Sequence, residues 1–436
     1  MKRALIITYY WPPSGGSGVQ RWVKFAKYLP SQGWQPVIYT PENPEAPSQD
    51  SSLLGDIPPE AEIVKRPIRE VYSIYRQLTG TSASSKEVNP INHQKKNFSQ
   101  KLMMALRGNL FIPDPRVAWV RPSVKFLEEY VKGHPVDVIV STGPPHSMHL
   151  IAKGLSERTG IPWIADFRDP WTKMFYFKHL QLSAWAQRRH ERLEKEVLDS
   201  CSAVVAVSPL VQDEFREMTS TPVHLITNGF DPEDFKGGDH GTGATADAPF
   251  NVTHTGLFAS DGIPEVLWEV LADKCKADGQ FACKLCIRLA GKTDLAVLDS
   301  LKAAGLERYV TDLGYQDHTV AVREQQDASM LILPLRKEPE YRATLPGKLF
   351  EYLASRRPVL GIGQTDGAMA RVLSGTGAGV VCEWDDKAAI AGFVDRCWEL
   401  HRSGEPWTDT DNIEQYSRTA TTAKMAALME SLTRQI

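Results

Sequence analysis

Short apolar runs alternate with amphipathic helical patterns twice along this chain of 436 residues. Runs of this kind, rich in Val, Ile and Leu, are typical of parallel strands buried on both faces, and the helical patterns supply the crossovers between them. We therefore predict an α/β fold with two doubly wound, Rossmann-like domains that face a central cleft. The predicted strands are Ala4–Thr8, Pro36–Thr40, Val136–Ser141, Trp163–Asp166, Ala203–Val207, Phe250–Thr255, Cys283–Ala290, Met330–Leu335, Pro358–Ile362 and Ala378–Cys382.

The two halves are separated by a segment with the composition of a linker. A turn sequence at 228–232, Asn-Gly-Phe-Asp-Pro, is followed by residues 237–249, which are rich in Gly, Ala, Thr and Asp. We predict domains at 1–230 and 245–412, followed by a C-terminal segment at 413–436. Ligands of doubly wound sheets bind beyond the carboxyl ends of the strands, so the residues that follow each strand are the functional candidates.

Composition and charge exclude several classes of protein. The net charge of −3 and the pI near 6.4 argue against a general nucleic-acid binder, which carries a basic face. No apolar run approaches the roughly 20 residues that span a bilayer, and the N-terminal apolar run is too short for a signal peptide. The CxxC pair Cys283 and Cys286 is interpreted as core cysteines in a reducing cytosol. We expect a cytoplasmic protein without a metal site, because no His, Cys or carboxylate cluster has metal-site spacing.

The segment 345–354, Leu-Pro-Gly-Lys-Leu-Phe-Glu-Tyr-Leu-Ala, lies between two predicted strands. A helix that begins here presents free backbone N–H groups and the positive end of its dipole beside Lys348, which favours a phosphate. Glu351, one turn later, can accept hydrogen bonds from a pair of sugar hydroxyls. The segment therefore predicts a nucleotide-sugar site. The candidate donor-binding residues here are Leu345, Pro346, Gly347, Lys348 and Glu351, with Gly256 after an earlier strand and the preceding cations Arg336, Lys337 and Arg342.

A glycine-rich loop, Pro-Pro-Ser-Gly-Gly-Ser-Gly at 12–18, follows the first predicted strand. It lacks the spacing of the GxGxxG dinucleotide fingerprint and has no acidic ribose partner at the usual distance. Gly16 and Gly18 can still offer backbone N–H groups to a phosphate or let a sugar approach closely. The structural alternative is a tight strand-to-helix turn, which needs fewer small residues than this loop has.

Two more strand ends carry polar residues. His146 begins the helix after one strand, where we expect it to point into the cleft as a hydrogen-bond donor or proton carrier. After the next strand, Asp166 or Asp169 can bind acceptor hydroxyls or stabilise positive charge at a sugar carbon, with Arg168 and Trp171 beside them. The alternative is that Arg168 forms a salt bridge that only organises the loop.

The stretch from 79 to 100 is polar, with Ser, Thr, Asn and Lys dominant, and we predict a mobile insertion. It runs into a basic region at 95–121, where contact with anionic lipid headgroups or an acidic acceptor is one interpretation. A solvated helix face that packs its Leu and Met side chains inward is the other. The basic residues of this region are Lys95, Lys96, Lys101, Arg107, Arg116 and Arg121.

Together these motifs resemble those of glycosyltransferase family 4, retaining enzymes of GT-B fold that transfer a sugar from a nucleotide donor. The resemblance runs nearly end to end, and it is most specific at 345–360, which resembles the donor-binding helix and the strand after it. It implies that a C-terminal helix at 416–432 crosses back onto the first domain. The other matching motifs are Tyr10-Trp11-Pro12-Pro13 with its glycine loop, Asn228-Gly229-Phe230-Asp231 between the domains, and Gly314-Tyr315 in the second domain.

The resemblance also assigns roles to individual residues. Glu351 matches the second glutamate of the family's paired-glutamate motif, which binds the nucleotide ribose. His146 lies where the family places a histidine that contacts the transferred sugar. Gly16 and Gly18 match the N-terminal loop that approaches the diphosphate.

Three positions depart from the family pattern. Ala343 stands where the first glutamate of the pair belongs. Leu257 and Asp261 replace the arginine and lysine that contact the diphosphate in the family. We expect Arg342 and Lys348 to take over from these lost cations.

The resulting expectation is a metal-independent glycosyltransferase without a cofactor, which uses a UDP- or GDP-sugar as co-substrate. The acceptor is a hydroxyl of a glycan, a lipid-linked sugar or a small molecule, and the configuration at the anomeric carbon is retained. His146 and Asp169 are the catalytic candidates. Two alternatives stay open: a nucleotide-sugar epimerase, and a non-catalytic GT-B scaffold or partner subunit, which the three departures favour. The sugar, the base, the acceptor, the linkage and the oligomeric state are not specified by the sequence.

Overall fold

A computed structural model of the protein describes residues 1–45, 49–68, 108–174, 177, 180–236 and 247–434. The chain divides into two compact units. The first comprises Met1–Thr227 together with Thr421–Ile436, and the second comprises Asn228–Ala420. Each unit contains one parallel sheet flanked by helices, so the predicted α/β class is confirmed.

Within its described residues, the first unit has seven parallel strands. They are β1 (Lys2–Ile7), β2 (Trp34–Pro41), β3 (Glu62–Arg66), β4 (Val138–Gly143), β5 (Trp163–Phe167), β6 (Ala203–Ala206) and β7 (Val223–Leu225). The helices are α1 (Ser17–Tyr28), α2 (Val117–Gly133), α3 (Ser147–Thr159), α4 (Ala184–Ser200) and α5 (Pro209–Met218). The spatial order β3-β2-β1-β4-β5-β6-β7 reverses between β1 and β4, so the carboxyl ends of those two strands border the crevice where ligands of such sheets bind.

The second unit repeats this plan with six parallel strands in its described residues. They are β8 (Phe250–Thr255), β9 (Leu285–Ala290), β10 (Val310–Gly314), β11 (Met330–Pro334), β12 (Val359–Ile362) and β13 (Gly379–Cys382). The helices are α6 (Glu265–Ala277), α7 (Gly279–Lys284), α8 (Leu295–Ala303), α9 (His318–Gln326), α10 (Gly347–Ser355), α11 (Ala368–Thr376) and α12 (Lys387–Ser403). The order is β10-β9-β8-β11-β12-β13, which places the corresponding crevice at the carboxyl ends of β8 and β11.

The last helix, α13 (Arg418–Thr433), begins in the second unit and ends in the first. Its apolar side chains Met425, Leu428 and Met429 are buried in the core of the first unit. The same core contains Trp22 of α1 and residues of the central strands. The helix therefore completes the apolar core of the N-terminal sheet.

The predicted strand Cys283–Ala290 is wrong at its start. Residues Gly279–Lys284 form a helix, and the strand begins at Leu285. Asp278 caps that helix by accepting from the backbone N–H groups of Gln280 and Phe281, which explains why the helix begins there. Cys283 is exposed and Cys286 is half-buried, so the interpretation of this pair as core cysteines is also wrong.

Among the described residues, no helix has the length and apolar character needed to cross a membrane.

Candidate functional site

The crevice of the second unit is formed by the end of β8 and the start of α10. Gly256 follows β8 with a φ of 83°, a left-handed conformation that side chains rarely adopt. A Cβ atom at this position would lie 2.5 Å from Cε and 2.9 Å from Nζ of Lys348. Glycine is therefore required here both by the backbone and by the close approach of the lysine.

Lys348 lies half-buried in the first turn of α10. Its ammonium group donates to the carbonyl oxygen of Leu257 at 3.1 Å and approaches Nε2 of His254 at 3.3 Å. Burial lowers the pKa of Lys348 to about 8, although the charge of Glu351 opposes this shift. Because an ammonium group has three hydrogens, one donor remains for a ligand.

His254 contacts the ammonium group of Lys348. Its Nδ1 lies 3.1 Å from the carbonyl oxygen of Ile332, which can only accept, so we assign the proton to Nδ1. Nε2 lies 3.3 Å from both the Lys348 ammonium and the carbonyl oxygen of Leu257. Because the ammonium can only donate, we assign to Nε2 the lone pair that accepts from Lys348. Burial, together with the charge of Lys348, lowers the pKa of His254 to about 3, so the ring is neutral at physiological pH. Sequence reasoning missed His254, because a histidine inside a predicted strand resembles any core histidine.

The start of α10 has no side-chain cap in the described structure. Pro346 is the N-cap residue, and the first turn contains no acidic side chain. Gly347 is exposed, and a Cβ built there would meet no heavy atom within 4 Å. The helix start thus combines backbone N–H groups and the positive end of the dipole with the Lys348 ammonium, an arrangement suited to a phosphate. The helix begins where the sequence analysis expected it, and donor binding by Leu345 to Lys348 stays a prediction.

Glu351 lies one turn further along α10. One of its carboxylate oxygens accepts from the side-chain amide of Gln325 at 2.9 Å. The same amide donates to the hydroxyl of Thr255 at 3.0 Å, and Tyr352 accepts from the Thr255 backbone N–H at 2.9 Å. Glu351 is therefore held at the end of β8. Gln325 is a positioning residue that the sequence analysis missed.

Leu257 and Asp261, which stand where the family pattern has cations, have different surroundings. Leu257 is 55% exposed beside Lys348. Asp261 forms an ion pair with Arg336 at 2.9 Å, and both side chains are largely buried. The short turn containing Asp261 packs against the end of β11, since a Cβ at Gly262 would lie 3.1 Å from the carbonyl oxygen of Leu335. The negative charge of Asp261 is therefore balanced by Arg336.

Arg342 does not have the position that was expected. Its guanidinium pairs with Asp366 at 2.8 Å, and both side chains are substantially exposed. The pairing holds the guanidinium on the loop before α11. Arg336 and Arg342 are thus both held in ion pairs, and the substitution of Arg342 for a family cation stays a prediction.

In the first unit, Arg168 joins the loops that follow three strands. It donates to the hydroxyl of Thr142 at 2.9 Å and to the carbonyl oxygen of Pro144. A Cβ at Gly18 would lie 3.1 Å from its guanidinium, so glycine allows this contact between the loops. Gly16 begins α1 with a φ of 106° and open space around it. This arrangement agrees with the alternative in which Arg168 organises the loop.

Asp166 is fully buried, so a role in binding an acceptor does not fit its position. Its carboxylate accepts from Arg21 at 2.8 and 3.1 Å, from the Trp22 indole at 2.8 Å, and from the Thr142 hydroxyl at 2.9 Å. Burial would raise the pKa of Asp166, but the Arg21 charge and these hydrogen bonds hold it below the usual range. Arg21 also donates to the carbonyl oxygens of Ile226 and Thr227, which end the N-terminal segment of the first unit.

His146 and Trp171 are stacked in the interior rather than pointing into a crevice. Their rings are parallel within 2°, with centroids 4.4 Å apart, and both side chains are buried. The Trp171 indole donates to His190, so an acceptor-binding role for Trp171 does not fit either. Burial lowers the pKa of His146 well below 6.5. Neither ring nitrogen of His146 has a hydrogen-bond partner among the described residues, so the neutral ring contacts a ligand only if its surroundings move.

Asp169 is the remaining carboxylate candidate of this loop. It is half-buried and follows Arg168 directly. Burial raises the pKa of Asp169 above its usual range, although the charge of Arg168 opposes this. A partly buried carboxyl with a raised pKa is a reasonable candidate for proton transfer.

The basic region at 95–121 is only partly described. Lys95, Lys96, Lys101 and Arg107 lie outside the described residues. Arg116 is buried, with its guanidinium over the Tyr9 ring and hydrogen-bonded to the Tyr9 hydroxyl at 3.1 Å, so its inclusion in a lipid-binding surface is wrong. Arg121 is exposed on α2.

Comparison with family models finds a match in the N-terminal half of the chain. A model of Glycosyltransferase Family 4 matches residues 93–234. The match covers less than half of the chain and is similar in kind to the resemblance found in the sequence motifs. The glycosyltransferase has no match among curated proteins.

Solved structures share the fold of this glycosyltransferase along its whole length. Sucrose-phosphate synthase from Thermosynechococcus elongatus is 14% identical with a TM-score of 0.62, and each chain is covered completely. A glycosyltransferase from Rickettsia africae is 14% identical with a TM-score of 0.59, over 100% of this chain and 99% of that one. The Anabaena protein Alr3699/HepE, solved in complex with UDP-glucose, is 14% identical with a TM-score of 0.52, over 100% of this chain and 98% of that one. These structures confirm the predicted GT-B fold class.

Proposed function

We propose that this glycosyltransferase transfers a sugar from a UDP- or GDP-sugar to a hydroxyl acceptor with retention of the anomeric configuration. The observation that carries the proposal is the Lys348 ammonium, held by Leu257 and a neutral His254 at the uncapped start of α10. This group and the helix N-terminus together match the charge of a sugar diphosphate. The complex of the Anabaena protein with UDP-glucose supports a nucleotide sugar as the donor.

On the donor side, Lys348 binds the diphosphate and Glu351 accepts from the ribose hydroxyls. Gln325 keeps the Glu351 carboxylate at the end of β8. Arg336 is paired with Asp261, so this pair adds little net charge. We include metal independence in the proposal, because the Lys348 ammonium and the helix dipole can stabilise the departing diphosphate. Activity that survives EDTA is the expected result, and a strict need for added Mg²⁺ would contradict this part.

On the acceptor side, Asp169 is the proposed residue near the reacting centre, and His146 is proposed to contact the sugar after local rearrangement. The departing diphosphate helps to remove the acceptor proton, which gives retention without an enzymic nucleophile. NMR of the product tests this directly: the anomeric configuration of the donor should be preserved. Asp169→Asn should lower kcat more than it changes the donor Kd. The acceptor is a carbohydrate or lipid-linked hydroxyl, and the proposed location is cytoplasmic, with peripheral contact to the inner face of the membrane.

The deciding experiment is a calorimetric titration of UDP-, GDP- and ADP-sugars into the full chain. One donor class should bind, and Lys348→Met should weaken that binding about ten- to hundredfold, the loss expected for a hydrogen bond to a charged group. Lys337→Met is the matched control, because Lys337 is exposed and bonded to Glu265. If none of the nucleotide sugars binds the wild-type protein, the non-catalytic alternative is correct. A new sugar formed from the donor alone would identify an epimerase.

A further inference from the structure

An exposed surface of the first unit combines large apolar side chains with arginines. We call it the Trp185 face. Trp185 is 63% exposed and Leu110 is 68% exposed, which is unusual for side chains of this size. Arg188, Arg189 and Arg192 follow Trp185 at helical spacings of i+3, i+4 and i+7, so all four lie on one side of α4. The opposite side of α4 packs into the protein through residues that include Leu193 and Val197.

The segment that contains Leu110 is hydrogen-bonded to the start of α4, where Trp185 lies. The side chain of Asn109 accepts from the backbone N–H of Ser183 at 2.7 Å and donates to the carbonyl oxygen of Gln181 at 3.2 Å. Ser183 is the N-cap of α4 and accepts from the backbone N–H of Ala186. Leu110 directly follows Asn109, and Trp185 is two residues after Ser183, so both lie close in sequence to the hydrogen bond between these two residues.

The charge on this face has no structural explanation. The three arginines lie between the first turn and the centre of α4, so none is at the C-terminal end where the helix dipole favours basic side chains. None of them forms an ion pair with the described residues, whereas Lys195 further along the helix is paired with Asp199 at 2.6 Å. Glu191, which accepts from Gln187, is the one exposed carboxylate between 184 and 192. A local positive excess in a chain of net charge −3 indicates an anionic partner.

We propose that the Trp185 face docks the glycosyltransferase on an anionic lipid bilayer. An exposed tryptophan on the same side of a helix as three arginines, with an exposed leucine in the adjoining segment, suits the membrane interface, where aromatic rings lie at the headgroup level. Arginine stems lie along the acyl boundary while the guanidinium groups contact lipid phosphates. The inference goes beyond the proposed transfer reaction, and this face contains none of the residues assigned to that reaction.

The test is co-sedimentation of the full chain with vesicles of phosphatidylcholine alone or mixed with phosphatidylglycerol. Binding should be strong to the anionic vesicles, weak to the neutral ones, and reduced by salt. Arg188→Gln combined with Arg192→Gln should lower the affinity for anionic vesicles by roughly twenty-five-fold, about fivefold for each arginine. Trp185→Ser should weaken binding to both kinds of vesicle, because it removes apolar contact.

Leu295→Ser is the matched control, since Leu295 is 78% exposed in the second unit and should leave vesicle binding unchanged. Donor binding by calorimetry should be the same for all these variants. The proposal is overturned if the wild-type protein does not sediment with anionic vesicles. It is equally overturned if the double arginine variant and Trp185→Ser bind as the wild type does.

Discussion

Lys348 has a protonation equilibrium that makes donor binding sensitive to pH. A lysine with a pKa of about 8 in the free protein is mostly charged at pH 7 and loses its charge as the pH rises through about 8. The sugar diphosphate stays fully ionised throughout this range, so it binds the protonated lysine better. We expect the donor Kd measured by calorimetry to rise steadily above pH 8 and to be nearly constant below pH 7.

Two variants test whether this pH dependence belongs to Lys348. Lys348→Met should bind donor weakly and show no rise in Kd near pH 8. His254→Gln, which removes the neutral ring that accepts from the ammonium, should shift the midpoint of the dependence while donor binding is kept. An unchanged midpoint in both variants would mean that another group titrates.

Gly256 provides a second prediction because the chain contains a matched glycine. Gly256 and Gly33 have φ values of 83° and 82°, so an alanine strains both by roughly 1–2 kcal/mol. A Cβ at 256 collides with Lys348, while one at 33 meets no heavy atom within 4 Å. Both alanine variants should lose similar stability by thermal unfolding, but only Gly256→Ala should lose donor affinity by calorimetry. Equal donor binding by the two variants would show that Lys348 does not contact the donor.

At the scale of elements, the ion pair between Arg21 and Asp166 ties α1 to the end of β5. Both side chains are fully buried, and removing one charge leaves the other without compensation. Asp166→Asn should therefore destabilise the first unit by about 3–5 kcal/mol, measured by urea unfolding. Glu129→Gln, which breaks the exposed pair with Lys132, should cost only about 0.3–0.5 kcal/mol. Similar losses in the two variants would contradict the structural role assigned to Asp166.

The central strands and the edge strand β13 were predictable from the sequence, whereas the edge strands β3, β7 and β10 were not. β1, β4, β8 and β11 are buried on both faces, so their sequences are continuous apolar runs. The edge strand β3, Glu62–Arg66, is half-exposed and polar, and β7 has only three residues. Neither gives a run long enough to detect. The helix at 279–284 was missed because its cap and one apolar residue make a pattern as short as that of a strand.

The candidate site was predictable where it depends on local sequence. The start of α10 follows from Pro346 and Gly347 and the strand before them, and Lys348 comes with it. The residues that hold these side chains are distant in sequence: His254 contacts Lys348, and Gln325 donates to Glu351. The order of strands in the sheet brings them together, and no local sequence pattern specifies that order. For the same reason, the burial of Asp166 depends on Arg21, which is 145 positions away.

At the scale of the whole molecule, the end of the chain stabilises its beginning. Met425 and Met429 are completely buried in the core of the first unit, although they follow the whole second unit in sequence. Losing a buried methionine side chain costs about 2–5 kcal/mol, a large share of the 5–15 kcal/mol that stabilises a typical protein. A chain that ends at residue 420 should therefore retain a folded second unit and a largely destabilised first unit.

Hydrogen exchange resolved by mass spectrometry separates these outcomes along the chain. In the truncated protein, β1, β4 and β5 should lose protection, whereas β8, β11 and β12 should keep it, because the core of the second unit contains no residue after 420. Met425→Ala combined with Met429→Ala in the full chain should give the same pattern with smaller amplitude. A chain that lacks only residues 434–436 is the control and should exchange as the full protein does. If protection fell equally in both sheets, the two units would unfold as one cooperative body, and the C-terminal helix would stabilise the entire molecule.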